Sequence, residues 1–377
     1  MNNKFSYERY SRQTLLKGFG ETGQEKLLRA KVLVIGAGGL GCPALQYLAA
    51  AGVGTIGIVD NDTVSLSNLH RQPLYTTADI GLFKSETAAK KLRELNPEIS
   101  FHVYNERLTS SNALEIMAPF DIIIDGSDNF ATRYLVNDAC VLLDKPLVFG
   151  AVSQFEGQIA VFNFHSSDKS PAVNYRDLFP RPPKENEVLN CAEAGVLGVL
   201  PGIIGTMQAS ETIKLITGIG KPLINCLLTF NALNNQFYEI SLKPNQDTRS
   251  LIPATKEDFE SMNYEWLCAA ERSPREIDIN RFDELIADKD TILIDVRESH
   301  ELPIVTEFKH QRIPMSILKQ AMIKTDAGTI VVFCQSGSRS LAAAEWLLGL
   351  SDQTRNVYSL KGGILQWINQ HQKKETV

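Results

Sequence analysis

The chain has 377 residues, of which 44% are hydrophobic and 22% are charged, so it is long enough for two or three ordinary globular domains. Its formal net charge of −6 argues against a surface built mainly to bind nucleic acid. No apolar run approaches a membrane span, and the polar first residues lack the core of a signal peptide. We therefore expect a cytoplasmic protein with no nucleic-acid or membrane partner.

The pattern of the first domain, expected over residues 5–242, is one of alternating strands and helices. Apolar residues at helical spacing predict helix from about residue 6 to residue 30. From Lys31 onward, apolar runs alternate with helical segments, which predicts a Rossmann-like, mostly parallel sheet covered on both faces. The predicted strands are VLVIG, TIGIVD, ISFHVY, DIIIDG and PLVFGAV.

A further strand, IAVFNF, leads into a long irregular segment over residues 166–190. A helical pair is expected within residues 195–218, followed by two strands, INCLLTFNA and QFYEISL. Residues 243–274 are predicted to form a linker, because their polar, proline-containing sequence breaks the pattern. A second, smaller α/β domain is predicted over residues 275–372.

The chain contains six cysteines, and no two of them are spaced as a C-x-x-C pair. The sequence therefore predicts neither a zinc knuckle nor a dithiol redox motif. Cys268 falls in the predicted linker and is assigned no role. Three others lie in helix or strand patterns and are expected in the core: Cys42, Cys140 and Cys226.

A glycine-rich turn follows the first strand of the predicted sheet. Gly36, Gly38 and Gly41 satisfy G-x-G-x-x-G, a pattern that brings backbone N–H groups up to a phosphate. Asp60 closes the second strand, where a carboxylate can accept hydrogen bonds from ribose hydroxyls. By themselves the glycines favour a nicotinamide or flavin site.

Charged side chains near the same sheet edge favour a triphosphate instead. Asn68, Arg71 and Gln72 lie just past the second strand. Lys84 opens a helix. Asp128 follows a later strand at its carboxyl end, where open α/β sheets bind ligands. Arginine and lysine neutralise a triphosphate and a carboxylate holds Mg²⁺, whereas hydride transfer needs neither. The chain has no G-x-x-x-x-G-K-S/T motif, so a P-loop is excluded.

Each of these side chains also has a simpler explanation. Lys84 is consistent with a solvated helix residue, Asp128 with a helix cap and Arg71 with a surface ion pair. Their joint occurrence beside one predicted sheet edge favours the nucleotide site.

Several separated segments, taken in order, resemble the adenylating domain of ubiquitin-activating-type enzymes, above all the adenylyltransferases of molybdopterin synthase and of the thiamine carrier. They are GAGGLG, VDNDTVSLSNLHRQ, Lys84, DGSDN and FEGQ. In that family, ATP activates the C-terminal Gly-Gly carboxylate of a small ubiquitin-like sulfur carrier as an acyl-adenylate, with release of pyrophosphate. The resemblance implies the same activity, with ATP and Mg²⁺, for residues 5–242.

The resemblance also implies a role for each matching residue. Gly39 would approach the phosphates, Asp60 would hold the ribose, and Asp128 would carry Mg²⁺. Arg12 would reach into the neighbouring subunit's site, which implies a homodimer. The implied catalytic residues of this domain are Arg12, Arg71, Asp128 and Cys191. The implied nucleotide-binding residues are Gly39, Asp60, Ser67, Asn68, Leu69, His70, Arg71, Lys84, Asp128 and Asn129.

The family's usual structural zinc site is missing from this sequence. That zinc is held by two C-x-x-C pairs, the first just before Leu-Phe-Pro. Here the corresponding residues 174–180 are NYRDLFP, and no cysteine lies between Cys226 and Cys268. We therefore predict no zinc, with this region held by packing or left mobile.

Cys191 lies at the end of the long irregular segment, before a glycine-rich helix. A small buried cysteine is the simpler explanation. A thiol at a helix N-terminus has a lowered pKa, however, and the resemblance places the family's acyl-accepting cysteine here. We expect Cys191 to be a nucleophile.

Cys334 ends the strand TIVVF and opens a loop that leads into a helix. Backbone N–H groups and Arg339 in such a loop favour a thiolate or a persulfide at neutral pH. A buried cysteine at a strand end is the alternative. The predicted persulfide loop comprises Cys334, Gln335, Ser336, Gly337, Ser338 and Arg339.

Residues 275–372 resemble a rhodanese sulfurtransferase domain. The similarity lies in LIDVRE, CQSGSRS and the pair Gly362–Gly363 followed by Trp367. The family's usual H-I-P-G-A is replaced by residues 312–316, RIPMS. The resemblance is therefore weaker in the middle loop than in the Cys334 loop. Phosphatases have a related loop that is one residue longer, which argues against phosphatase chemistry.

Together the two resemblances predict an adenylyltransferase fused to a sulfurtransferase. The expected product is a carrier thiocarboxylate for molybdenum cofactor synthesis, made with sulfur from a persulfide donor such as a cysteine desulfurase. A thiamine or tRNA-thiolation carrier is the nearer alternative. A nicotinamide oxidoreductase with an appended regulatory domain is the more distant one.

Overall fold

The chain forms two compact units, Met1–Cys268 and Ala269–Val377. The computed structural model describes residues 7–165, 172–182, 195–264, 275–318, 327–350 and 356–374. All structural statements below concern these residues.

The first unit is built on one eight-stranded sheet. Its strands are β1 (Lys31–Ile35), β2 (Thr55–Val59), β3 (Ser100–Tyr104), β4 (Ile122–Asp125), β5 (Leu147–Ser153), β6 (Glu156–Phe162), β7 (Cys226–Asn231) and β8 (Gln236–Ser241). Its helices are α1 (Tyr7–Thr14), α2 (Gly20–Arg29), α3 (Gly41–Ala51), α4 (Lys84–Leu95), α5 (Ala113–Met117), α6 (Phe130–Leu142), α7 (Tyr175–Leu178), α8 (Val199–Thr217) and α9 (Lys256–Ser261).

The sheet has the order β3-β2-β1-β4-β5-β6-β7-β8. The strands from β3 to β5 are parallel, whereas β6, β7 and β8 are antiparallel to their neighbours. The apolar runs of β1 and β4 are buried because helices cover both faces of the sheet. Leu48 and Leu92 belong to the core on one face, and Met117 and Tyr134 to the core on the other. The Rossmann-like prediction is confirmed.

Two helix predictions are corrected by the structure. The helix expected over residues 6–30 is two helices, α1 and α2, because Gly18 and Gly20 adopt positive φ angles of 86° and 59° between them. Leu15 lies at this break and is 77% exposed. The helical pair expected within residues 195–218 is one 19-residue helix, α8.

The expected linker over residues 243–274 does not hold for its first part. Residues Gln246–Leu251 form a 3₁₀ helix, α9 follows, and the Phe259 side chain is fully buried in the core. The Tyr264 hydroxyl donates a hydrogen bond of 2.9 Å to Asp138 in α6. These residues fold with the first unit because their apolar side chains pack on it; residues 265–274 lie outside the described chain.

A polar cluster stands where the resemblance would place zinc. One oxygen of the Asp177 carboxylate accepts from the backbone and side-chain nitrogens of Asn174, at 2.9 and 2.8 Å. The other accepts from the Asn245 backbone N–H at 3.1 Å and the Thr248 hydroxyl at 2.5 Å. This "Asp177 cluster" (Asn174, Asp177, Asn245 and Thr248) fastens the chain before β7 to the chain after β8 without a thiol.

The second unit contains a smaller, fully parallel sheet of order β11-β10-β12-β13-β9. Its strands are β9 (Arg275–Ile277), β10 (Thr291–Asp295), β11 (Gln311–Arg312), β12 (Thr329–Phe333) and β13 (Asn356–Leu360). Its helices are α10 (Ile279–Ile286), α11 (Ser338–Leu350) and α12 (Gly363–Lys374). The predicted second α/β domain is confirmed. A transmembrane span is absent from the described helices, each of which is too short or too polar to bridge a bilayer.

Candidate active sites

The glycine turn between β1 and α3 is fixed by close backbone contacts. Gly36 has a φ of +88°, a conformation that disfavours any side chain. A Cβ at Gly41 would lie 1.9 Å from the Gly36 carbonyl oxygen, so only glycine permits α3 to begin here. The turn follows the carboxyl end of β1, and its residues Gly36, Gly38 and Gly39 line the cavity described next, which is the placement that anion binding by a turn requires.

A cavity of about 590 Å³ opens at these strand ends, a volume typical of small-molecule sites. It is lined by most of the residues predicted to bind nucleotide. Those lining residues are Gly39, Asp60, Asn68, Arg71, Lys84, Asp128 and Asn129. The topology thus gathers side chains that are far apart in the sequence.

Asp60 is held by the backbone on both of its carboxylate oxygens. One oxygen accepts from the Ala37 N–H in the glycine turn at 2.7 Å, and the other accepts from the Asp62 N–H at 2.8 Å. Burial raises the pKa of the Asp60 carboxyl, while Lys84 and the two N–H groups act in the opposite direction. The carboxylate is thereby oriented beside the phosphate-binding turn, with lone pairs left for ribose hydroxyls.

Lys84 is not a solvated helix residue. Its side chain is 7% exposed, and its ammonium group lies 2.9 Å from a carboxylate oxygen of Asp62, which is itself 65% exposed. The Lys84 N–H also donates to the Asp62 carbonyl oxygen at 2.9 Å. This cation is therefore preorganised at the first residue of α4, within the cavity wall.

Arg71 is not in a surface ion pair with any described carboxylate. Its guanidinium donates to the Ser67 carbonyl oxygen and lies beside a ring nitrogen of His70, both at 3.0 Å. A guanidinium that lines the cavity and lacks a carboxylate partner in the described chain is free to bind an anionic ligand.

Asp128 does not cap α6. The cap is its neighbour Asn129, whose side-chain oxygen accepts from the Thr132 N–H at 2.9 Å. Asp128 is exposed at the cavity rim. No ready-made cluster of three or more metal-ligating side chains occurs among the described residues. One rim carboxylate nevertheless fits Mg²⁺ that takes its remaining ligands from phosphates and water.

Other predicted residues lie beside the cavity wall and not in it. The Ser67 hydroxyl lies 3.1 Å from that of Ser65, Leu69 packs against the core, and His70 is exposed. Arg12 is exposed on α1 and is not among the residues that line the cavity of its own chain. Cys191 lies outside the described residues.

Sequence reasoning named Gln72 just past the second strand but missed several other polar residues of the cavity wall. Gln72 and Arg133 are 3% and 8% exposed, yet the Gln72 side-chain oxygen and the Arg133 Nε have no hydrogen-bond partner in the described chain. Glu106 and Arg107 follow β3 and also line the cavity. The buried unpaired atoms fit a polar ligand. The strand-end rule applied to β3 would have found Glu106 and Arg107.

The remaining cysteines of the first unit differ from one another. Cys42 and Cys140 are buried as predicted, and burial raises the pKa of the Cys42 thiol to about 12. Cys226 is only partly buried, so its assignment to the core is corrected. It lies on β7, the second strand from the edge of the sheet, and the edge strand β8 is exposed along its whole length.

Cys334 follows β12 in the second unit and is fully buried. Its sulfur accepts from the Gly337 N–H at 3.2 Å. Burial alone would raise the pKa of the thiol, but the Ser340 hydroxyl and the N–H groups of Ser340, Ser336 and Gly337 outweigh it, so the pKa lies below its ordinary value. The loop therefore stabilises sulfur as an anion.

The glycine pair before α12 lets that helix approach the Cys334 loop. Gly362 and Gly363 adopt φ angles of 73° and 67°, and a Cβ at Gly363 would lie 2.4 Å from the Gln335 carbonyl oxygen. The Ile364 N–H donates to the Cys334 carbonyl oxygen at 2.8 Å. The backbone around the thiol is thereby held from two sides.

Comparison with known proteins gives the same division of the chain. The ThiF family model matches residues 10–251, and the rhodanese-like domain model matches residues 278–370.

The chain belongs to the ThiF family. Its first part is 54% identical over 242 residues to a sulfur carrier protein adenylyltransferase of Thermus thermophilus, covering 64% of this chain and 89% of that protein. Over 382 residues it is 42% identical to a probable adenylyltransferase/sulfurtransferase, MoeZ, of Mycobacterium tuberculosis, covering 97% of this chain and 93% of the relative.

A probable molybdopterin-synthase adenylyltransferase of Porphyra purpurea is 39% identical over 370 residues, covering 96% of this chain and 93% of that protein. Among solved structures, E. coli MccB matches with a TM-score of 0.55 at 21% identity, over 64% of this chain and 72% of MccB. That likeness shows the fold alone. This ThiF-family chain is therefore an enzyme that joins an adenylyltransferase domain to a rhodanese-like sulfurtransferase domain, and the nicotinamide alternative is withdrawn.

Proposed function

We propose that the enzyme uses ATP to adenylate the C-terminal glycine of a ubiquitin-like sulfur carrier protein. The observation that carries this proposal is the single cavity that gathers the glycine turn, Asp60, Arg71, Lys84 and Asp128. Two cations and a row of backbone N–H groups suit a triphosphate, and the oriented Asp60 carboxylate suits a ribose. The names of the relatives support an adenylyltransferase acting on a carrier protein.

The charge of each cavity residue determines its proposed role in adenylation. Arg71 and Lys84 neutralise the phosphates and stabilise the negative charge that develops on pyrophosphate. Asp128 holds Mg²⁺, which supplies further charge neutralisation when bound. Arg12 completes the cavity of a second copy in a homodimer; its exposed position on α1, away from its own cavity, supports this assignment.

The second domain supplies sulfur. Cys334 receives a sulfane sulfur as a persulfide and delivers it to the activated carboxyl group, displacing AMP. Either the persulfide attacks the acyl-adenylate directly or Cys191 first takes the acyl group as a thioester. The direct route leaves an acyl disulfide, from which a second thiol releases the thiocarboxylate. Tethering the two domains raises the effective concentration of donor at acceptor.

We assign adenylation to residues 5–242 and sulfur transfer to residues 275–372, in the cytoplasm, where thiols and persulfides stay reduced. The proposed pathway is molybdenum cofactor synthesis, which the Porphyra relative's name supports. A thiamine or tRNA-thiolation carrier is the alternative, since the Thermus relative is named for a sulfur carrier without a pathway. A cysteine desulfurase is the proposed source of persulfide.

ATP–pyrophosphate exchange tests the proposal. The full chain is assayed with each candidate carrier ending in Gly-Gly and with the same carriers lacking the last glycine. Exchange with an intact carrier and none with its truncated form supports adenylation, and the preferred carrier names the pathway. Exchange that ignores every carrier would contradict the proposal.

The role of Cys191 is tested separately. In a Cys334→Ala background, an acyl-Cys191 thioester would accumulate with carrier and ATP and would be cleaved by hydroxylamine. Loss of that adduct in Cys191→Ala, with exchange retained, supports the thioester route. Its absence with Cys191 intact supports direct attack by the persulfide.

A further inference from the structure

The arginine of the persulfide loop is held by a carboxylate from elsewhere in the second unit. Both terminal nitrogens of the Arg339 guanidinium donate to the two carboxylate oxygens of Glu301, each at 2.6 Å. This is the bidentate geometry in which arginine–carboxylate pairs are strongest. The Glu301 side chain is 15% exposed and the Arg339 side chain 37% exposed. Arg339 beside the thiol is therefore a neutralised cation.

Glu301 is itself fixed in place. One of its carboxylate oxygens also accepts from the Glu298 N–H at 2.7 Å. Arg312 donates to the Glu301 carbonyl oxygen at 3.2 Å and Arg297 donates to the Pro303 carbonyl oxygen at 2.8 Å, so the backbone on both sides is anchored. Such preorganisation lowers the entropic cost of keeping Arg339 paired.

The other charged side chains near the Cys334 loop also have polar or charged partners. Arg297 pairs with Asp295 at 2.7 Å, both side chains fully buried, and Arg312 reaches the same carboxylate at 3.9 Å. Glu298 is turned to Ser316, whose N–H and hydroxyl it accepts at 3.2 and 3.0 Å. Arg297, Arg312 and Arg339 thus each have a carboxylate within 3.9 Å, although the buried Arg312 Nε has no hydrogen-bond partner in the described chain. Of these three arginines, Arg339 is the one that belongs to the persulfide loop, and its guanidinium is occupied by Glu301.

We propose that Glu301 sets the sulfur-donor specificity of Cys334, by occupying Arg339 and so disfavouring small dianionic donors such as thiosulfate relative to persulfides, which carry at most one negative charge. The inference rests on the proposed sulfurtransferase function of this domain and adds its donor class. Glu301 touches no reacting atom and acts as a positioning residue through Arg339. The exposed side chains that follow Glu301 are apolar: Leu302 and Ile304 are 67% and 65% exposed, and neither carries a positive charge.

Thiosulfate and a persulfide would each transfer one sulfur atom to the Cys334 thiolate. The Cys334 thiolate attacks the outer sulfur of a persulfide R–S–SH, the S–S bond breaks, and Cys334–S–SH and the thiolate R–S⁻ result. With thiosulfate the same attack gives Cys334–S–S⁻ and releases sulfite. The steps differ in the charge that the loop must accommodate, which is two negative charges for thiosulfate and at most one for a persulfide.

The test compares Glu301→Gln with wild type in the full chain. Steady-state thiocyanate formation gives kcat and KM for thiosulfate with cyanide, and the mass gain of one sulfur on Cys334 follows loading by N-acetylcysteamine persulfide, whose only ionisable group is the persulfide itself. We expect the thiosulfate KM to fall roughly tenfold with kcat nearly unchanged, because the Arg339 guanidinium is then free to pair with the dianion. Loading by this persulfide should change less than about threefold, and the thiosulfate gain should shrink in high salt.

Three variants separate this effect from a structural one. Glu301→Asp keeps the charge and should keep the thiosulfate KM near wild type. Glu284→Gln removes an equal charge from an exposed pair with Arg281 and should leave KM unchanged. In an Arg339→Gln background, Glu301→Gln should bring no gain.

The inference is overturned if Glu301→Gln, folded by its melting temperature, leaves the thiosulfate KM unchanged or raises it, or if the gain persists without Arg339. A wild-type chain that accepts sulfur from neither donor would instead contradict the proposed function. The two failures are therefore distinguishable.

Discussion

The two sites of this enzyme are assembled in opposite ways. The nucleotide cavity draws on the ends of β1, β2, β3 and β4 and on the start of α4, so no short segment contains it. The sulfur site lies almost wholly within residues 334–340, where backbone N–H groups surround one thiol. The first site therefore depends on the topology of a whole sheet, and the second on the conformation of one loop.

This difference predicts how each site fails. A site made of many side chains should keep part of its activity when one charge is removed, since the rest of the cavity remains. A site made of backbone around one reactive atom tolerates changes in its side chains but not the loss of that atom. The following predictions test the contrast, from the largest effect to the smallest.

Cys334→Ala is expected to abolish thiosulfate:cyanide sulfur transfer because no other described group in the loop can carry the sulfur. ATP–pyrophosphate exchange with the carrier should be unchanged. Both activities are measured on one preparation of the full chain. Loss of exchange along with sulfur transfer would mean that the two sites are not separable.

Lys84→Ala is expected to lower exchange roughly 100-fold, the usual cost of removing one preorganised charge from a reacting phosphate. Sulfur transfer should be unaffected. Lys91→Ala is the matched control, because Lys91 lies on the same helix and is paired with Asp79 outside the cavity. Equal losses in the two variants would remove Lys84 from the site.

Asp128→Asn tests Mg²⁺ binding, and Asn129→Ala tests the N-terminal cap of α6. Asp128→Asn should lower exchange and raise the Mg²⁺ concentration needed for half-maximal rate, with the melting temperature unchanged. Asn129→Ala removes the α6 cap and should cost about 1 kcal/mol of stability. A thermal melt and a Mg²⁺ titration of both variants decide the assignment, which is refuted if Asp128→Asn is the one that melts early.

The pH dependence of sulfur transfer should follow the Cys334 thiolate. Because the pKa of this thiol is lowered, the rate should rise with pH and level off below the range of an ordinary cysteine, about 8.5. Ser340→Ala removes one stabilising hydroxyl and should move the midpoint to higher pH while leaving the plateau rate similar. A midpoint that stays in place would show that the backbone N–H groups alone hold the anion.

The same contrast explains what the sequence could predict. Asp60, Lys84 and Asp128 were predictable because each immediately follows or begins a regular element at one edge of a parallel sheet. The Cys334 loop was predictable because it is contiguous. Arg133 was missed, and the unpaired side-chain oxygen of Gln72 could not be predicted, since burial and the lack of a partner are properties of the folded chain and leave no local pattern.

The errors in the fold have similar causes. The break between α1 and α2 was signalled by Gly18 and Gly20, whose positive φ angles end a helix, but apolar spacing was given more weight. The expected linker was judged by its polar residues, although Phe259 and Tyr264 supplied enough apolar surface for it to pack. Tertiary burial therefore overrode local composition after β8, whereas the break before α2 followed from the backbone conformation of two glycines.

The Asp177 cluster has a consequence for an enzyme that carries reactive sulfur. A zinc site held by cysteine thiolates can lose its metal to oxidation or to a chelator. Its thiolates can also attack sulfane sulfur, because they are nucleophiles. Asn174, Asp177, Asn245 and Thr248 hold the same part of the fold with oxygen and nitrogen alone. The scaffold is thus chemically inert at this point toward the persulfide that the proposed sulfur transfer would form on Cys334.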